Sequence, residues 1–199
     1  MAVRHDPIAK QCRDFDLSPA VLGYDKKTTN RHPGANTRKK YSEYGMQLKE
    51  KQKLKFIYGV QETQFEHYYE IAEKQAGITG ENLIKLLERR LDNVVFRMGM
   101  AKTRREARQL VRHAHFKVNG KKVDIPSLLL KAGDEITVKE SSRSTPKFKE
   151  LAELAETRLS PSWLEVDREN WKATLKSLPI REELDYEVNE QLIVELYSK

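Results

Sequence analysis

Between Lys102 and Lys122 the chain carries eight basic side chains against one acid, Glu106. They are Lys102, Arg104, Arg105, Arg108, Arg112, Lys117, Lys121 and Lys122. Guanidinium groups make forked hydrogen bonds to phosphate oxygens, and ammonium groups act as point charges beside them. The chemistry on offer is therefore binding of a polyanion. A solvated helix face is the plainer alternative, but so lopsided a balance argues against it.

The positioning elements can be read from the same stretch. Thr103 and Glu106 form a T-x-x-E capping box, which starts a helix at Arg104. At about 100° per residue, Ala107, Leu110, Val111 and Ala114 share one arc. Arg104, Arg105, Arg108 and Arg112 share another that does not overlap it. Next, "FKVNGKKV" holds Asn119-Gly120, the signal for a two-residue hairpin turn. That loop pairs Lys117 with Lys122, and like charges directly across a ladder are destabilising unless something negative covers them.

Other basic residues extend the candidate surface. A helix expected over 81–98 buries Leu83, Leu87, Leu91, Val94, Val95 and Met98, and carries Lys85, Arg89 and Arg97 opposite. A helix over 43–58, capped by Ser42 and closed by Gly59, spreads Lys49, Lys51, Lys53 and Lys55 around its sides. A second helix, about 62–76, ends at Gly77. These two cannot bury a core alone, and "EQLIVELYSK" near the C-terminus is the segment expected to complete it. Residues 1–41 read as an irregular basic arm with Lys26, Lys27, Arg31, Arg38, Lys39 and Lys40. Strands are expected at 116–118, 121–123, around Ile136 and Val138, and in "SWLEV" and "NWKATLKSL", with a helix over about 147–157.

The class is α+β: a helical domain discontinuous in sequence, and an inserted RNA-binding domain of helices plus a small antiparallel sheet. The expected divisions are an arm at 1–41, a helical domain at 42–80 plus about 183–199, and an insert at 81–182. The helix-helix-hairpin module of that insert occupies about 81–145.

Catalytic chemistry finds no support. Neither a G-x-x-x-x-G-K-[ST] nor a G-x-G-x-x-G sequence is present. Cys12 is the single cysteine among 199 residues, so no internal disulfide can form, which fits a reducing cytoplasm. A metal site from His5, Cys12 and His32 lacks paired ligand spacing. No apolar run suits a membrane span, and "MAVRHDPIAK" lacks the apolar stretch of a secretory signal.

The net charge of +7 is unevenly placed. Residues 1–60 carry +7, 61–80 carry −3, 81–145 carry +7 and 146–199 carry −4. Localised basic blocks favour nucleic acid as partner. A short helix with a flanking hairpin suits the phosphates and 2′-hydroxyls of A-form RNA.

Several stretches together resemble a known family. "SEYGMQLKEKQKLKFIYGVQETQF", "TGENLIKLLERRLDNVVFRMGMAKTRREARQLV", "VNGKKVDIPS", "WLEVD" and "NEQLIVELYSK" are similar to bacterial small-subunit ribosomal proteins of the S-four family. The resemblance is collinear from about Arg38 to Lys199. It implies a structural, non-enzymatic constituent of the small ribosomal subunit in the cytoplasm. It further implies a primary rRNA-binding protein that nucleates assembly on the 5′ domain of small-subunit rRNA. The third and fifth small-subunit proteins are its implied neighbours, with a contribution to translational accuracy. It implies that Arg38, Lys39 and Lys40 face mRNA where mRNA enters the subunit. Zinc-binding members carry four arm cysteines in the pattern C-x2-C-x13-C-x4-C. The matching positions here are Ala9, Cys12, Lys26 and Arg31, so a zinc-free form without cofactor is implied.

Overall fold

The computed structural model of the protein describes residues 7–25, 41–156 and 159–198. The chain divides into two compact units, one built from residues 1–83 with 185–199 and the other from 84–184.

In the first unit α1 (Ile8–Asp14) leads into a 3-10 turn at Pro19–Leu22, which Gly23 ends at φ 82°. The part of the arm at 7–25 is thus folded, where the sequence suggested irregular chain. Cys12, Phe15, Leu17 and Leu22 are buried, and the Phe15 ring lies 5.7 Å from that of Phe56. Four apolar anchors with irregular spacing suffice to order it, though they leave no period to read. Burial pushes the Cys12 thiol above its usual range. Lys26, Lys27, Arg31, Arg38, Lys39 and Lys40 lie outside the described residues, as do His5 and His32.

Next, α2 (Glu43–Tyr58) begins at Ser42, whose hydroxyl accepts from Gly45 N at 3.2 Å, and stops at Gly59 with φ 61°. It is followed by α3 (Glu62–Glu73). The C-terminal helix completes this core, as its apolar composition suggested. Tyr197 stacks on Tyr69 with ring centroids 4.3 Å apart, and the Tyr58 and Tyr186 hydroxyls lie 2.6 Å apart in the interior.

The periodic stretch expected as one helix over 81–98 is two. α4 (Thr79–Glu88) ends, Arg90 turns extended at φ −64°, ψ 136°, and α5 (Leu91–Arg97) starts again. The break is held by a distant segment: Leu130 N donates to Arg89 O at 3.0 Å and Leu91 N to Leu128 O at 2.9 Å. Tertiary pairing has overridden an unbroken 3.6-residue period, and the six apolar residues named above are still buried.

In the second unit, α6 (Arg104–Arg112) is followed by the hairpin β1 (Phe116–Val118) and β2 (Lys121–Val123), then β3 (Glu135–Val138). After α7 (Glu140–Arg143) and α8 (Pro146–Glu156) come β4 (Leu164–Asp167) and β5 (Lys172–Leu175). All pairings are antiparallel, in the order β2-β1-β3-β5-β4. One face of this sheet joins Phe116, Ile136, Ala173 and Leu175 to Val95, Val111 and Phe148 in a single apolar core. Finally α9 (Glu190–Tyr197) returns to the first unit. Among the described residues no helix is long and apolar enough to cross a membrane.

Close approach makes one glycine decisive in the first unit. A Cβ on Gly80 would sit 2.5 Å from Glu190 Cγ and 2.8 Å from its Cβ. Real atoms do not approach so closely, so α9 must shift. Gly80→Ala is expected to cost about 1–3 kcal/mol, read as a lowered midpoint in urea unfolding followed by tyrosine fluorescence.

Candidate nucleic-acid interface

The candidate interface is α6 and the hairpin that follows it. Thr103 caps α6 as expected, its Oγ1 accepting from Glu106 N at 3.1 Å. The reciprocal bond runs one residue further back, to Lys102 N instead of Thr103 N. Ala107, Leu110, Val111 and Ala114 are buried, so the apolar arc faces the core.

The arginine arc divides. Arg112 is exposed, Arg105 and Arg108 are half-buried, and Arg104 is buried at 6% exposure. Arg104 is thus corrected from an outward to an inward side chain. Its Nε donates to Asn93 Oδ1 at 2.8 Å, and its guanidinium lies over the Phe96 ring at 4.4 Å. Phase explains this. On a wheel of about 100° per residue, Arg104 stands only about 20° from Val111, while Arg112 and Arg105 lie about 80° and 100° beyond Arg104. The two arcs abut, and the arginine at their seam goes in.

Behind α6 lies a buried polar network. Glu88, 1% exposed, accepts from Asn93 Nδ2 at 2.7 Å and from Arg97 Nε and Nη2 at 3.1 and 2.9 Å. Asp92, 2% exposed, accepts from Arg90 Nε and Nη2 at 3.1 and 2.9 Å, and from Arg108 Nε at 2.8 Å. Asn93 connects the halves, taking Arg104 on its oxygen and giving its amide to Glu88. Arg89 is also engaged, its Nε donating to Leu130 O at 2.6 Å, and burial pulls its pKa down. Arg89 and Arg108 are therefore partly or wholly occupied inside the unit, contrary to the expectation of outward cations. The spacing E-x3-D-N with later arginines was visible in sequence, but nothing in it said which arginines the acids would capture.

The hairpin forms in the expected register, with Phe116 opposite Val123, Lys117 opposite Lys122 and Val118 opposite Lys121. Asn119 and Gly120 take φ 50° and 76°. The Asn119 side chain is further tied down, donating to Asp134 at 2.8 Å and accepting from Glu135 N at 2.9 Å. Lys121 and Lys122 are exposed and Lys117 half-buried. The helix reaches this hairpin through three residues, His113 to His115. There Ala114 adopts φ 57°, and His115 Nδ1 lies 2.8 Å from Ser142 Oγ. Burial, reinforced by His113 and Lys139, pushes the His115 imidazole below its ordinary pKa, so it is neutral at pH 7.

In the other unit the expected lysines are largely internal. Lys51 and Lys55 both bind Glu62, with side chains 13% and 7% exposed, and Tyr197 Oη donates to the same carboxylate at 3.2 Å. Lys53 faces Glu50 and Lys49 faces Asp16, each at 3.9 Å. The sequence spread Lys51 and Lys55 around the sides of α2; one acid across the α2–α3 turn gathers both. Lys85, on α4, is half-buried.

Two family models match the chain. Residues 4–88 match the "Ribosomal protein S4/S9 N-terminal domain" and residues 89–136 the "S4 domain". The second range contains α5, α6 and the hairpin. Small ribosomal subunit protein uS4 of Lachnospira eligens is 56% identical over 199 residues, covering all of both chains. The chain belongs to the uS4 family of small-subunit ribosomal proteins. The uS4 protein of Desulforamulus reducens is 50% identical across the full length of both chains. That of Caldicellulosiruptor saccharolyticus is 63% identical over 81% of this chain and 78% of its own. This is a family of ribosomal proteins, not of enzymes, in agreement with the absence of catalytic motifs.

Removing either anchor of the network should be severe, because a buried cation loses the carboxylate that offsets its charge. Asp92→Ala takes that carboxylate from Arg90, 2% exposed, and is expected to cost about 3–5 kcal/mol, measurable by thermal unfolding. Glu62 carries a pH signature. Partial burial alone would raise its pKa, but hydrogen bonds and charge from Lys51 and Lys55 outweigh this and hold it at about 2, against an ordinary 4.5. A depressed folded pKa means that its stabilisation is complete above the unfolded value and disappears as pH falls from about 4.5 towards 2. The difference in urea midpoint between the native chain and Glu62→Gln should therefore shrink across that window.

Proposed function

We propose that this protein is a structural constituent of the small ribosomal subunit that binds rRNA primarily through α6 and its hairpin. The observation carrying this is the cross-strand pair Lys117–Lys122, on a hairpin that also holds exposed Lys121 and follows exposed Arg112, within the stretch that matches the S4 domain. Two ammonium groups set directly opposite one another repel until an anion lies over them. Arg105, Arg112, Lys117, Lys121 and Lys122 take phosphates, with Arg108 presented from Asp92 at the margin. Arg104 and Arg89 shape that surface from beneath. Lys85, Lys49 and Lys53 extend the contact, and Lys26, Lys27 and Arg31 add charge from the arm. The two compact units serve as a helical domain and an inserted RNA-binding domain.

The finer role follows the family resemblance. In this reading the protein binds the 5′ domain of small-subunit rRNA early and nucleates assembly there. It lies beside the third and fifth small-subunit proteins, with Arg38, Lys39 and Lys40 towards incoming mRNA, and contributes to accurate decoding. Its place is the cytoplasm, within the small subunit.

The test is a salt titration of binding to a 5′-domain rRNA transcript. Removing one cation that neutralises a phosphate should reduce the slope of log affinity against log salt by about 1. Arg112→Gln with Lys122→Gln should thus lower it by about 2 without changing the thermal midpoint. An unchanged slope returns α6 to a merely solvated face.

A further inference from the structure

Two tyrosines at the start of α2 stand outside everything described above. Tyr41 is 45% exposed and Tyr44 58%, in a chain whose other aromatic residues mostly lie in its cores. Tyr41 is nevertheless held in place. Its Cδ1 lies 3.6 Å from where a Cβ on Gly45 would be, so the ring rests within contact distance of the first turn. Lys49 Nζ sits over the same ring, 5.1 Å from its centroid. The acid that Lys49 meets among the described residues is Asp16 at 3.9 Å, with Asp16 85% exposed, an ion pair too long and too wet to neutralise it. Met46, 45% exposed, adds apolar surface one turn on from Ser42.

A tyrosine just before a helix cap often packs on the fourth helical residue, and Tyr41 with Met46 has that spacing. Such a staple does not account for Tyr44, which lies between them and is the most exposed of the three. Nor does it need a lysine over the ring. Planar aromatic faces beside a cation are what unpaired nucleobases stack on, with the cation taking the adjoining phosphate. The sequence entering Tyr41 is Arg38-Lys39-Lys40, so the local field favours a polyanion over an apolar protein surface. Exposed Glu43 in the same turn keeps phosphate off the helix end itself and leaves the rings to the bases.

We propose that Tyr41 and Tyr44, with Lys49, form a stacking site for unpaired bases of single-stranded RNA, separate from the phosphate-binding face of α6. It rests on the RNA-binding reading given above. The site should tolerate any base, because every base offers a π-face.

The experiment compares a labelled single-stranded oligoadenylate with an abasic ribose-phosphate oligomer of equal length, by fluorescence anisotropy on the full chain. The native protein should bind the oligoadenylate more tightly. Tyr41→Leu and Tyr44→Leu should each lose about fivefold or more of that affinity, with no loss towards the abasic oligomer. Tyr44→Phe should bind as the native chain does, which separates a stacked ring from a hydroxyl contact. Circular dichroism melts of these variants should match the native melt. Equal native binding of the two oligomers overturns this site alone, whereas binding of neither overturns the RNA-binding reading with it. Leucine variants that keep full affinity also overturn it, and point to an apolar protein partner for the patch.

Discussion

The fold of the second unit turns on two buried carboxylates. Glu88 and Asp92 lie on either side of a break between helices, and between them they hold Arg90, Arg97 and Arg108, with Arg104 joined through Asn93. An isolated charge in such surroundings would be prohibitively costly, so each side chain is tolerable only because the others are present. The network therefore behaves as a unit. It joins the end of α4, the start of α5 and, through Arg104 and Arg108, the first turns of α6, and so helps fix how α6 lies.

That arrangement also decides how the positive charge is spent. Of the four arginines on α6, one is buried, one is shared with an acid, one is half-buried and one is exposed. The same division appears in the helical unit, where Glu62 captures two lysines of α2. Net charge thus overstates the surface available to a polyanion. What remains is smaller and better positioned, since its members sit on elements held rigid by the cations that turned inward.

Local chemistry was legible in the sequence wherever a residue's role depends on its near neighbours. Ser42 and Thr103 cap their helices, Gly59 closes α2, and Asn119-Gly120 fixes the register that sets Lys117 against Lys122. The apolar arc of α6 was equally plain. The α+β class and the return of the C-terminal helix followed from these patterns. What escaped depends on partners far along the chain. The bend at Arg90 is made by residues 128–130, which no 3.6-residue period can report. Arg104 sits so near Val111 around the helix that only Asn93 and Phe96 decide its direction. The folding of residues 7–25 rests on scattered apolar anchors, of which Phe15 meets Phe56. For the candidate interface, charge pointed to α6 and its hairpin, but only exposure separates the arginines held inside from those left towards solvent.

The pairing of α2 with α9 brings together residues from the two extremes of the chain, as in the bonds from Gln47 to Glu195 and from Asn189 to Glu50. During synthesis the first helices emerge long before their partner exists. Residues 84–184 hold a complete core of their own and can close as soon as they are made. The helical unit must wait with apolar surface uncovered until α9 is translated. Closure of the first helices therefore depends on an element made only after the second unit.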